Sequence, residues 1–171
     1  MNTRYFFLTL LTAILIHFAA SRLLPGFPVA VDVFLVVTIL NALSGDSLTG
    51  LLGGLICGLL HDALSGEAYG LHGFADTLVG YATARVAQRL ATRRIAGLLA
   101  ILLSAAVLQQ AVLILMGVAL NPDHNLPEPL WVAVRVVSGS LLGLALYLFT
   151  LRTRDRMAEA RRNRRSRLRL E

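Results

Sequence analysis

Long apolar runs separated by short polar clusters dominate this chain from Tyr5 to Leu151. The breaks are rich in residues that stop helices. Pro25, Gly26 and Pro28 form the first, Ser44-Gly45-Asp46 the second, and Gly66-Glu67-Ala68-Tyr69-Gly70 the third. An arginine-bearing segment from Arg85 to Arg94 and the loop Asn121–Pro129 complete the punctuation. Proline removes a backbone donor and glycine relaxes the backbone, so neither continues a helix well. The intervening runs cover about 5–20, 29–43, 47–64, 71–86, 95–119 and 130–151. A helix needs about 20 apolar residues to cross ~30 Å of hydrocarbon, and in lipid the backbone must satisfy its own hydrogen bonds. The pattern predicts an all-α, polytopic membrane bundle of about six spans over residues 1–151, followed by a basic tail, 152–171. The second run is short, which implies little tilt or a local mismatch with the bilayer.

The third run holds the densest pattern. At 100° per residue, Gly50, Gly54, Cys57, Gly58, His61 and Ser65 share one face, with Asp62 at its edge. Small residues spaced by four let a second helix backbone approach closely. Gly139 and Gly143 in the sixth run suggest another such pair, and Gly70, in the turn after the third, is expected to be a helix-packing glycine as well. The fifth run carries Gln109 and Gln110, amides that are costly in lipid and are expected to face other helices.

Composition agrees with a membrane origin. The chain has 171 residues, 56% hydrophobic and only 15% charged, against about a quarter charged in soluble domains. Mean hydropathy is +0.69. The net charge is +6 and every basic residue is Arg. Nine of the arginines lie in the tail, and Arg85, Arg89, Arg93 and Arg94 follow the fourth run. Cytoplasmic loops carry such an excess, which places both termini in the cytoplasm and leaves Arg22 and Arg135 on the outer side. The tail suits anionic lipid headgroups. No basic recognition motif for nucleic acid is visible. One cysteine, Cys57, precludes a disulfide within the chain and reads as inert packing. The first run lacks a small-x-small cleavage pattern and is read as an uncleaved helix.

This topology assigns depth to the ionisable residues. Asp32 opens the second span, where capping explains it; His61 and Asp62 end the third. Asp76 lies ~8 Å into the fourth span, and Arg135 sits at a similar depth in the sixth. Charges in a bilayer pair or face a cavity. A polar cluster of Asp32, His61, Asp62, Asp76 and Arg135 is therefore expected in the outer half, with Arg135 paired to Asp62 or Asp76. His17 reads as a packing histidine. Catalysis is not indicated: neither G-x-S-x-G nor H-E-x-x-H occurs. Ser65, His61 and Asp62 lie too close along one helix to form a relay. Asp123, His124 and Glu128 have no recognisable ligand spacing, so no metal or other cofactor is expected.

The stretch Pro28–Tyr81 resembles the rod shape-determining protein MreD family. The resemblance rests on Val31-Asp32-Val33, on Gly58-Leu59-Leu60-His61-Asp62-Ala63-Leu64-Ser65-Gly66, on Tyr69-Gly70-Leu71-His72-Gly73 and on Val79-Gly80-Tyr81. Family members often have proline just before the polar residue of span two; here Val31 stands there and Pro28 lies three residues earlier. The resemblance implies a non-enzymatic inner-membrane component of the bacterial elongation machinery. It implies MreC as partner and, indirectly, MreB, RodA and a penicillin-binding transpeptidase. The family is similar in fold to the substrate-binding subunits of energy-coupling-factor vitamin transporters, which supplies the alternative function. A vitamin pocket would call for clustered aromatic and hydrogen-bonding groups. Aromatics are 7% of this chain, its one Trp is Trp131, and none cluster near Asp62.

Overall fold

The computed structural model describes residues 3–24, 26–66, 70–89, 95–120 and 127–167, apart from the side chains of 3, 28 and 153–167. Arg93, Arg94, Asp123 and His124, and the tail's side chains beyond Arg152, lie outside the described residues. So do the turn residues 67–69. Every regular element among the described residues is a helix: α1 Thr3–Leu23, α2 Phe27–Ala30, α3 Val33–Ser44, α4 Ser47–Ser65, α5 Leu71–Arg89, α6 Ile95–Leu120 and α7 Pro129–Arg167. Together they form an all-α membrane bundle. α1, α4, α6 and the first part of α7, through Arg152, are long and apolar enough to cross a membrane. α5 has the length but carries His72, Asp76, Arg85 and Arg89. The tail backbone continues α7 as helix to Arg167.

The expected single span over 29–43 is corrected. It is two helices, α2 and α3, separated by extended backbone at Val31 and Asp32. Asp32 caps α3 by accepting from the Leu35 backbone N–H at 2.9 Å, so this carboxylate is the start signal of the helix, as its place at the head of the span implies. α3 is short because it is central. Val33, Phe34, Leu35, Val36, Val37, Thr38 and Ile39 are all buried. One side of it packs with Phe6, Leu10, Ala13 and Cys57; the other with Val79, Leu98, Leu102 and Ala106. A helix wrapped on all sides by protein need not match the bilayer thickness.

α4 and α5 form the tightest pair. A Cβ on Gly54 would collide with the Asp76 carbonyl oxygen, and one on Gly58 with that of His72. Gly50 and Gly80 face each other's carbonyl oxygens across the same seam. Lipid gives no hydrophobic drive between helices, so this close backbone contact supplies the van der Waals attraction instead. Gly143 abuts the Leu102 side chain. Two of the glycines expected at packing surfaces do other things. A Cβ on Gly139 would meet nothing within 4 Å, so Gly139 is not a close-approach position. Gly70 also meets nothing there, and its φ of 97° makes it a turn residue. With Gly66 at φ 70°, it gives the α4–α5 connection the left-handed backbone that other residues resist.

Candidate functional site: a buried polar cluster

The end of α4, the start of α5 and the start of α3 meet in one region. Gly58 and its neighbours bring α5 so near α4 that Asp62 reaches the open end of α5. Its carboxylate accepts from the backbone N–H groups of Gly70 at 2.9 Å, His72 at 3.0 Å and Gly73 at 3.0 Å. It also meets His72 Nδ1 at 3.0 Å. The first N–H groups of any helix lack partners within it, and the dipole there favours negative charge. Asp62 meets both needs from a neighbouring helix.

Asp32 is the second centre. Its Oδ1 caps α3 and lies 3.6 Å from His61 Nδ1. Its Oδ2 accepts from Gln109 Nε2 at 2.9 Å and from Arg135 Nη2 at 3.1 Å. Gln109 Nε2 also donates to Asp76 Oδ1 at 2.7 Å. One amide thus ties α3, α5 and α6, and one guanidinium adds α7. Ser138 on α7 reinforces the contact by donating to the Ala30 carbonyl. The expected partner of Arg135 is corrected: it pairs with Asp32, not with Asp62 or Asp76. Asp62 is already occupied by α5, and Gln109 stands at Asp76.

The structure brings Asp32, His61, Asp62 and Asp76 into one buried region, with Arg135 reaching it from the side. Two further members are His72 and Gln109, both buried. His72 lies four residues before Asp76 and so shares its helix face, a spacing visible in the sequence. Gln109 interrupts the most apolar run. The aromatic edge of the cluster is built by ring contacts: His61 stacks on Phe34 at 5.1 Å between centroids, with His72 at 4.0 Å and His17 at 5.9 Å.

Two cavities occur elsewhere among the described residues. One, of about 330 Å³, is lined by Thr9, Val37, Leu43 and Tyr147. The other, of about 700 Å³, is lined by Val107, Ile114, Pro129 and Val136. Neither includes a residue of the polar cluster.

Fold and cluster together define an integral membrane helical protein whose interior is cross-tied by carboxylate, amide, histidine and guanidinium groups. The chain belongs to the rod shape-determining protein MreD family, which it matches over residues 1–126. The matched region contains every member of the cluster except Arg135. Membership places the chain among proteins that determine rod cell shape. No curated protein and no solved structure matches it.

Proposed function

We propose that the chain is a non-enzymatic, multi-pass scaffold of the bacterial inner membrane that supports lateral cell-wall synthesis by binding MreC. Through MreC it is linked to MreB, RodA and a penicillin-binding transpeptidase. The observation that carries this reading is the family match over residues 1–126. The internal chemistry supports it. Asp62 is consumed by three contacts with His72 and Gly73 of α5 and one with Gly70 just before it, and Asp32 by contacts with α3, α6 and α7. Those groups hold the bundle in one arrangement, as a docking partner requires. The arginine asymmetry supports cytoplasmic termini and, with them, a cluster towards the periplasmic side. The arginine tail then lies at the inner leaflet, where anionic lipid is its partner.

Depletion of the protein in its bacterium tests the shape reading directly. Rounded cells are expected, with the MreC homologue co-purifying from detergent extracts with the full chain. Unchanged rods, with a vitamin requirement and a thermal shift on adding that vitamin, would instead establish a transporter subunit.

A further inference from the structure

We propose that Asp32, His61 and His72 form a binding site for one divalent transition-metal ion of the zinc class. Each offers one ligand atom, and the three atoms lie within 4.8 Å of one another in a buried position. Ligand atoms around a four-coordinate zinc stand about 3.4 Å apart, for bonds of about 2.0–2.1 Å. A closure of up to ~1.4 Å by side-chain rotation therefore completes the triangle. The His61 Nδ1 to Asp32 Oδ1 edge is already 3.6 Å.

Three independent features aim these groups at a cation. First, His61 is 4% exposed and its Nδ1 has no hydrogen-bond partner, although it faces a carboxylate. A buried polar nitrogen in that state is costly unless something bonds it. Second, His72 uses Nδ1 on Asp62. A carboxylate at one ring nitrogen favours the tautomer protonated there and directs the other nitrogen's lone pair outward, the arrangement metal-binding histidines adopt. Asp62 is in turn fixed by three backbone N–H groups, so it orients the ring rigidly. Third, the charges do not balance. Asp32, Asp62 and Asp76 are each at most 2% exposed, and Arg135 brings its guanidinium to Asp32. Buried carboxylates must be paired, protonated or held to a metal, and a divalent ion would match the deficit.

The two oxygens of Asp32 divide these tasks. Oδ2 serves Arg135 and Gln109, while Oδ1 accepts the Leu35 N–H that caps α3 and faces His61. Arg135 therefore does not stand between the carboxylate and the ion. Two imidazoles and one carboxylate suit zinc, cobalt or iron(II) rather than magnesium or calcium, which prefer oxygen donors. The three side chains that converge come from the cap of α3, from α4 and from α5.

The test uses the full chain in detergent, purified with a tag that contains no histidine, and cobalt(II) as probe. One equivalent of cobalt should give the visible ligand-field bands of a four-coordinate ion, and zinc should displace it. His61→Ala and His72→Ala should each weaken binding at least ~10-fold, and Asp62→Asn by about 10-fold through loss of ring orientation. His124→Ala should bind like the parent. Absence of those bands from the parent protein overturns the proposal without any variant, so misfolding of a substituted chain cannot shield it. Cobalt binding retained by His61→Ala, or lost in His124→Ala, overturns it as well.

Discussion

Arg135 of α7 donates from Nη2 to Oδ2 of Asp32 at 3.1 Å, and Asp32 is the residue on which α3 begins. The ion pair therefore fixes the central helix and the last helix by one carboxylate. The Asp32 side chain is 0% exposed and that of Arg135 is 18%. Removing one partner of a buried pair leaves an uncompensated charge, at a cost of about 3–5 kcal/mol.

Arg135→Ala is accordingly expected to lower unfolding stability in detergent by about 3 kcal/mol. Asp32→Asn should be milder than Asp32→Ala, because asparagine still caps a helix. The double change to alanine should cost less than the sum of the singles. Exchanging the two residues should not restore stability, since arginine at 32 cannot accept from Leu35 or Gln109. Additive single and double effects would show that the pair is not coupled.

The glycines of the α4–α5 seam should respond unlike Gly139. Gly54→Ala places a methyl group on the Asp76 carbonyl, forcing the helices apart at a cost of about 1–3 kcal/mol. Gly139→Ala adds a methyl where nothing lies within 4 Å. Alanine is the better helix former, so stability should be unchanged or rise by about 0.5–1 kcal/mol. Thermal unfolding of the two variants side by side reads the contrast. Equal losses would mean that Gly139 is packed after all.

Asp62 is the most heavily used acceptor of the cluster. Asp62→Ala strands the buried N–H groups of His72 and Gly73 and the part-buried one of Gly70, and bonds to a charged acceptor each contribute about 1.5–3 kcal/mol. A total loss of several kcal/mol is expected, and amide exchange should accelerate first at Gly70, His72 and Gly73. Asp62→Asn should lie between, because one of its two side-chain ends donates where an acceptor is needed. Unaltered exchange at those three amides in Asp62→Ala would remove Asp62 from its capping role.

Much of the bundle is legible in the residue pattern, because apolar runs and helix breakers act locally. The glycine face of α4 could be drawn from spacing alone. What faced it could not, since Gly80, His72 and Asp76 meet it through tertiary packing. The pairing of Arg135 escaped for a related reason. Depth along a span is readable from topology, whereas the choice among three carboxylates at similar depth depends on which are already satisfied. Asp62 was claimed by α5 through turn geometry set by Gly66 and Gly70. Gln109 reads as a helix-facing amide, and no spacing identifies the two acids it joins. The α2–α3 break hid behind Val31 and Asp32, neither of which forbids a helix.

Asp46 offers a pH test away from the buried cluster. It caps α4 from the α3–α4 connection, accepting from the Thr49 backbone N–H at 2.9 Å. The Thr49 hydroxyl, and then that N–H, hold its carboxyl below the ordinary carboxylate value. A group whose value is lower when folded adds stability above its unfolded value and loses it as pH falls through the folded one. Exchange protection of the Thr49 and Gly50 amides should therefore be full near neutrality and decline in acid below the usual carboxylate range. Asp46→Asn keeps a capping oxygen without the charge, so its protection should be flat across that range, and Asp46→Ala should be poorly protected throughout. A parent protein whose Thr49 protection is as insensitive to acid as that of Asp46→Asn would show that the carboxylate's charge adds nothing to this cap.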